Sequence, residues 1–135
     1  MERMNGIIFS DLGQASTFMA LDWVQNLLLQ RLGYHPFPAT LNLRPQAAAD
    51  ERTWQRVRCE LAGTPLTPAS DSHCGAKLFR VEIRTPRNAA KIDGAVLLPD
   101  VKDYPNDKIE IVAPVRLKDH LGVADGDQLV VEFIN

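Results

Sequence analysis

The sequence is poor in cysteine: Cys59 and Cys74 are the two in 135 residues, and they stand fifteen positions apart. Zinc sites and redox centres usually need a CxxC pair or a second pair of cysteines, and neither is present. The three histidines, His35, His73 and His120, also lack metal-ligand spacing. We therefore expect two reduced thiols and no zinc or redox centre.

Long hydrophobic runs are also missing. No apolar stretch approaches the 18 residues that a membrane helix requires. The N-terminus reads MERMNGIIFSD, and its apolar run is too short and too poorly flanked for a secretory signal. We expect a soluble, cytoplasmic protein that does not bind membranes.

The sequence also has no large excess of positive or negative charge. Fifteen Lys and Arg stand against seventeen Asp and Glu, a net charge of −2, so the chain has no general attraction for nucleic acid. Any anionic ligand must be held locally. The hydrophobic fraction of 45% and the charged fraction of 24% are those of a globular protein, and the length predicts one domain, residues 1–135.

One substantial helix is predicted over residues 22–32. Asp22 and Gln25 have the spacing of a capping box, and Gly33 provides a stop. Between them, apolar residues recur at helical spacing: Val24, Leu27, Leu28 and Leu32. Pro36 and Pro38 then favour extended backbone, which predicts a strand over 39–43.

The rest of the chain has mainly β character. Apolar and polar residues alternate from Lys77 to Arg84. The other strands are predicted at residues 6–9, 92–98, 108–113 and 128–133. Pro114 favours a short helix through Leu121, and residues 44–76 form a variable excursion with room for some helix. The sum is a mostly β fold, a small barrel of about six strands with one main helix and a short second helix.

Thr40 and Asn42 are candidate metal ligands. Side chains at i and i+2 of a strand leave by the same face, so Leu41 and Leu43 face the core while Thr40 and Asn42 share the other side. Their hydroxyl and amide oxygens are donors that Mg²⁺ accepts alongside waters and phosphates. A Thr and an Asn on an outer strand face are most often simply solvated, so spacing alone leaves both interpretations open.

Four segments together resemble the archaeal-type CTP-dependent riboflavin kinases. Residues 32–43 read LGYHPFPATLNL, which is similar to that family's LG-x-x-P-[FY]-x-G-T-L-N-L motif. Residues 91–96 (KIDGAV), 109–117 (IEIVAPVRL) and 121–127 (LGVADGD) resemble three further family motifs. Their order and spacing fit over nearly the whole chain, apart from 44–76.

The resemblance implies a cradle-loop β-barrel that transfers the γ-phosphoryl group of CTP to the 5′-hydroxyl of riboflavin, giving FMN and CDP. It implies that Thr40 and Asn42 bind Mg²⁺ and that Glu110 contacts the flavin substrate. A carboxylate beside the attacking hydroxyl suits the role of general base in phosphoryl transfer. The alternative for Glu110 is an ordinary surface position on a half-buried strand.

The resemblance places nucleotide contacts on two segments. The family's glycine-rich loop falls on Asp11, Leu12, Gly13, Gln14, Ala15 and Ser16, and the second set falls on Val115, Arg116, Leu117 and Lys118. Here the loop departs from the family's G-L-G-E-G-R: Asp11 brings a negative charge towards a triphosphate, and Ser16 replaces a cation. Arg116 and Lys118 either compensate or are solvated surface charges.

The loop before Glu110 also departs from the family pattern. The flavin-contacting Thr aligns with Lys102, while Tyr104 retains the usual aromatic residue. Two other hypotheses remain at this point. The first is an inactive flavin- or nucleotide-binding protein on the same fold. The second is a DNA-binding regulator of the AbrB type, because residues 115–131 also resemble that family; the net charge of −2 disfavours it.

Overall fold

The computed structural model describes residues 2–11, 15–67 and 75–134, and in these ranges the chain forms seven strands and four helices. The strands are β1 (Arg3–Phe9), β2 (Leu41–Pro45), β3 (Thr64–Leu66), β4 (Ala76–Arg84), β5 (Ile92–Pro99), β6 (Ile109–Val112) and β7 (Gln128–Phe133). The helices are α1 (Ala15–Met19), α2 (Asp22–Leu32), α3 (Ala48–Glu60) and α4 (Leu117–Leu121).

Six of the strands close into an antiparallel barrel. Their order is β4-β5-β6-β2-β1-β7, and pairing of β4 with β7 closes the circle, while β3 extends the sheet beside β4. Closure removes the free sheet edges that six strands would otherwise expose. The mostly β, six-stranded barrel predicted from the sequence is confirmed.

The strand alternation divides the barrel into an interior and an outer face. Leu41, Leu43, Ile109 and Ile111 belong to the interior cluster. A second cluster lies on the outer face, where Val24 and Leu28 of α2 pack with Leu97 and Val112. Polar residues that alternate with the interior ones on β2 and β6 are thereby directed to the outer side, beside the α1–α2 layer.

Helix α2 has the predicted bounds, and Gly33 ends it in the left-handed conformation with φ of 86°. The expected capping box is wrong, because the N-cap residue is Leu21 and makes no side-chain cap hydrogen bond. The Gln25 side chain instead donates to the carbonyl oxygens of Met19 (2.8 Å) and Pro36 (3.1 Å). It therefore ties the first turn of the helix to chain segments before and after it.

The excursion over 44–76 contains a second long helix, α3, and strand β3. Trp54, which is 1% exposed, packs in the interior cluster and donates from Nε1 to the carbonyl oxygen of Asn106 at 2.9 Å. The short C-terminal helix begins at Leu117 rather than at Pro114, because Arg116 is still extended (φ −73°, ψ 107°). Within the described ranges, no helix combines the length and apolar character that crossing a membrane needs.

Candidate functional site

The barrel brings Thr40, Asn42 and Glu110 together, although the last lies 70 residues from the first. Strands β2 and β6 pair so that Asn42 stands opposite Glu110, and Thr40 directly precedes β2. The Thr40 hydroxyl donates to Oε1 of Glu110 at 3.0 Å. Since Ile109 and Ile111 point into the barrel, Glu110 lies on the outer face, as strand parity predicts.

Glu110 is a buried carboxylate, 7% exposed, with a hydrogen-bond donor at each oxygen. The second donor is the Tyr104 hydroxyl, which bonds to Oε2. Burial raises the pKa of Tyr104 far above its usual range, and the hydrogen bond to Glu110 and the charge of that carboxylate raise it further. Tyr104 therefore stays protonated at neutral pH and acts as a donor. Two such bonds stabilise and orient a carboxylate that burial would otherwise destabilise.

The oxygens of Asn42 and Thr40 fit a hard cation. Asn42 Oδ1 is buried and has no hydrogen-bond partner among the described protein atoms, a costly arrangement unless a ligand satisfies it. The Thr40 hydroxyl gives its proton to Glu110, which leaves its oxygen lone pairs for a metal. Over the described residues, no three His, Cys, Asp or Glu side chains cluster as a metal site. An ion here would need further ligands from water or substrate, as Mg²⁺ commonly does.

A cavity of about 120 Å³ lies next to Thr40. All four residues of the second predicted nucleotide segment line it, together with the chain on either side of Thr40. The lining comprises Phe37, Ala39, Thr40, Leu41, Ile111, Ala113, Val115, Arg116, Leu117 and Lys118. The structure thus brings the candidate metal ligand and the 115–118 segment to one concave surface.

Two cations border this cavity, and each has an acidic partner. Arg116 bonds to Asp119 at 2.6 Å, and Lys118 bonds to Asp125 at 2.9 Å. Ser10 donates to Asp125 at 2.5 Å. The Ser10 hydrogen bond, followed by the Lys118 interactions, lowers the pKa of Asp125 below its usual range. These contacts tie the end of β1 to α4 and to the turn before β7.

Asp11, which differs from the family's glycine-rich loop and was expected to face a triphosphate, forms an ion pair with a lysine. Lys108 Nζ contacts Asp11 Oδ2 at 2.6 Å and stands 5.7 Å from the centre of the Tyr104 ring. Sequence reasoning missed Lys108. The available signal was its position two residues before Glu110, which strand alternation places on the same face as that carboxylate.

The structure describes only part of the remaining predicted nucleotide loop. Leu12, Gly13 and Gln14 are outside the described residues, as is the side chain of Ala15. Ser16 is exposed on α1. Of the six predicted loop residues, the structure therefore describes the side chains of Asp11 and Ser16, and their role in binding a nucleotide stays a prediction.

Tyr104 also lines a large open cleft of about 960 Å³. Its walls come from the end of α3, from β3, from the start of β4 and the residue before it, and from the end of β5 and the loop that follows: Arg58, Pro65, Leu66, Gly75, Ala76, Lys77, Leu98, Pro99, Asp100, Val101, Asp103, Tyr104, Pro105 and Asn106. Lys102, the other predicted flavin contact, is exposed in the turn within this loop. The Glu110 carboxylate is thus bonded on one side to a residue of the cleft and on the other to Thr40 at the small cavity.

Comparison with known proteins gives a consistent result. The family model CTP-dep_RFKase, described as "Domain of unknown function DUF120", matches residues 8–133. A protein named riboflavin kinase from Pyrobaculum arsenaticum is 33% identical over 137 residues, covering 98% of this chain and 60% of the relative. Riboflavin kinases from Pyrobaculum islandicum (30% over 134 residues; 97% of this chain, 60% of the relative) and Archaeoglobus fulgidus (32% over 135; 98% and 54%) are similar. The chain therefore spans a little over half the length of these relatives.

Proposed function

Because the chain belongs to the CTP-dependent riboflavin kinase family, we propose that it transfers the γ-phosphoryl group of CTP to the 5′-hydroxyl of riboflavin, giving FMN and CDP. The observation that supports this most directly is the position of Glu110. Its carboxylate joins Tyr104, which borders the large cleft, to Thr40, which borders the small cavity. Two substrates that occupy these two spaces would meet at Glu110.

Glu110 is the proposed catalytic residue. When the 5′-hydroxyl oxygen forms a bond to the γ-phosphorus, the bond between that phosphorus and the β,γ-bridging oxygen breaks, and CDP leaves with that oxygen. The hydroxyl proton passes to Glu110, which retains free lone pairs beside the bonds from Thr40 and Tyr104. Because phosphoryl transfer depends mainly on positioning and charge neutralisation, the fixed orientation of this carboxylate matters as much as its basicity.

Thr40 and Asn42 are the proposed metal-binding residues, and we propose Mg²⁺ as the ion. When bound, a divalent ion neutralises phosphate charge and orients the phosphates. The unpartnered Asn42 Oδ1 and the Thr40 oxygen are of the donor type that Mg²⁺ prefers. Thr40 also holds the site together, because its hydroxyl fixes one oxygen of Glu110, and the pairing of β2 with β6 places Asn42 opposite that residue.

The nucleotide is proposed to lie along the small cavity, between residues 11–16 and 115–118. Arg116 and Lys118 supply positive charge beside Thr40. Both cations are ion-paired at their exposed ends in the free protein, so phosphate binding would exchange one anionic partner for another. CTP as the donor follows from the family, and the proposed location is the cytoplasm, where nucleoside triphosphates are made.

Riboflavin is proposed to enter from the cleft beside Tyr104. Pro65, Leu66, Leu98 and Pro99 give part of it apolar walls against which a flavin ring can pack, beside the charged residues of its lining. Lys102 and Tyr104, in the loop that borders it, remain the proposed flavin contacts of this loop. In this arrangement the ribityl chain points inward and its terminal hydroxyl reaches Glu110. Residues 1–135 are proposed to form one domain that carries out the whole reaction.

The test is product formation. Purified protein incubated with riboflavin, CTP and Mg²⁺ should give FMN and CDP in equal amounts by mass spectrometry, and omission of Mg²⁺ should stop the reaction.

Asn42→Ala should abolish the Mg²⁺-dependent part of CTP binding in calorimetry, whereas the exposed helical control Asn26→Ala should not. Riboflavin binding without any FMN would favour the inactive binding protein instead. An unchanged isotherm for Asn42→Ala would mean that Asn42 is not a ligand.

A further inference from the structure

We propose that Lys108 is a phosphate-binding residue of this site, and that Asp11 holds its ammonium group until the polyphosphate of the nucleotide replaces the Asp11 carboxylate. The inference rests on the proposed function, because it assumes that a polyphosphate binds beside Thr40 and Glu110. It also assigns a role to Asp11, a residue that differs from the family's glycine-rich loop and whose carboxylate would otherwise repel the nucleotide.

The position of Lys108 suits a group that contacts the transferred phosphate. It directly precedes β6, two residues before Glu110, where continued strand alternation would direct it to the same side as that carboxylate. Successive residues of a strand advance by about 3.3 Å, so the two Cα atoms are separated by about 7 Å, a distance that a lysine side chain can span. Its Nζ atom is held over the Tyr104 ring at 5.7 Å, and the Tyr104 hydroxyl bonds to Glu110. Lys108 is thereby fixed to the group that binds the proposed catalytic carboxylate.

The exposures of the two partners indicate which one is replaced. The Lys108 side chain is 19% exposed and that of Asp11 is 39% exposed. A sheltered ammonium group needs an anion beside it, whereas the more exposed carboxylate depends less on this contact. Arg116, one of the two cations beside the small cavity, is ion-paired with Asp119 but is 47% exposed, so it depends less on an anionic partner. Lys108 is therefore the better placed of these two cations to exchange a carboxylate for a phosphate.

The charges favour the exchange once a nucleotide arrives. A polyphosphate carries several negative charges, and a lysine binds phosphate as a compact point charge. In the free protein the 2.6 Å contact neutralises Asp11, so the first loop does not present an unpaired negative charge to the nucleotide. The same contact competes with the nucleotide for Lys108, so the Asp11–Lys108 ion pair lowers the affinity for the nucleotide.

A set of four proteins tests this competition: the wild type, Lys108→Gln, Asp11→Asn and the double variant. The measurement is the Kd for CTP with Mg²⁺ and for inorganic triphosphate, by calorimetry. Lys108→Gln should raise both Kd values about tenfold, since about 1.4 kcal/mol corresponds to that factor. Asp11→Asn should lower them by about threefold, because it releases the ammonium group. In the double variant the Asp11 change should have a smaller effect, because the ammonium group that it competes for is gone and only its repulsion of the nucleotide remains.

Two controls separate this role from a structural one. Arg87→Gln removes one positive charge from the exposed β4–β5 turn and should leave both Kd values unchanged. Lys108→Arg keeps the charge and should restore most of the affinity that Lys108→Gln loses. Riboflavin binding and the thermal midpoint of Lys108→Gln should stay close to those of the wild type.

The proposal is overturned if Lys108→Gln binds both anions as the wild type does, or if Asp11→Asn changes binding equally with and without Lys108. Failure of the wild type to bind either anion would overturn it as well. A wild type that binds CTP but makes no FMN contradicts the proposed function alone. In that case the Kd comparison among the four proteins still decides the role of Lys108.

Discussion

The Glu110 carboxylate depends on two hydroxyl donors, and Tyr104 is the one whose removal is simplest to test. Tyr104→Phe keeps the ring beside Lys108 and deletes the bond to Oε2. A hydrogen bond to a charged group contributes about 1.5–3 kcal/mol, so kcat should fall about 10- to 100-fold. KM for CTP should change little, because Tyr104 lies on the cleft side of Glu110.

The same variant has a signature at alkaline pH that a loss of packing would not produce. Burial raises the pKa of both tyrosines, Tyr34 and Tyr104, above the ordinary value of 10.0. A raised pKa in the folded state means that stability is fully present below pH 10 and declines as pH rises beyond it, while the unfolded chain loses its protons. Tyr104→Phe should flatten that decline, as followed by urea unfolding between about pH 9 and 11. Unchanged kcat together with an unchanged alkaline decline would mean that Tyr104 neither orients Glu110 nor bonds to it.

Residue-level prediction from the sequence succeeded where a strand fixes the outcome. Alternation alone sends Leu41, Leu43, Ile109 and Ile111 to the interior, and so directs Thr40, Asn42 and Glu110 to the other face. Strand alternation could not predict which of the side chains at the site bond to one another. Lys108 and Asp11 are 97 residues apart, and their contact depends on how the barrel closes, which no local pattern encodes.

At the scale of elements, one buried carboxylate helps to hold helix α3 to the barrel. Asp50 is 8% exposed; its Oδ1 accepts from the backbone N–H of Asn5 in β1 at 2.8 Å, and its Oδ2 accepts from that of Ala47 at 3.1 Å. Asp50→Ala should lower the free energy of unfolding by about 2–3 kcal/mol, because two amide donors lose their acceptor. The exposed neighbour Glu51→Ala is the control and should change it by less than about 0.5 kcal/mol. Equal effects of the two changes in urea unfolding would show that Asp50 does not hold the helix.

The two long helices show why one was predicted and the other was not. Helix α2 buries Val24, Leu28 and Leu32, which recur at helical spacing in a mixed sequence. Helix α3 buries Trp54 and Val57, together with the polar residues Asp50 and Thr53, so its buried face is half polar. Periodicity of apolar residues cannot reveal such a face. Its polar residues are satisfied by contacts that form only in the folded protein, such as that of Asp50 with Asn5.

For the whole molecule, the sequence pattern does not predict how the barrel closes. Alternation predicts the strands, but it does not identify the two strands whose pairing completes the barrel. The β4–β7 seam places Glu82 directly opposite Glu132. Like charges in that position are destabilising. Lys91 lies between them, with Nζ 3.8 Å from the Glu82 carboxylate and 3.3 Å from the Glu132 carboxylate. We infer that Lys91 offsets this repulsion and so stabilises the closed barrel.

Lys91→Met should therefore lower the free energy of unfolding at pH 7 by about 1 kcal/mol, the upper range for a cross-strand charge pair. The deficit should shrink at about 1 M salt, where screening over about 3 Å weakens the repulsion in the variant and the attraction in the wild type alike. Arg87→Met in the nearby exposed turn controls for the loss of one positive charge. A deficit that is the same in high salt, or that Arg87→Met reproduces, would show that closure does not depend on the bridging charge of Lys91.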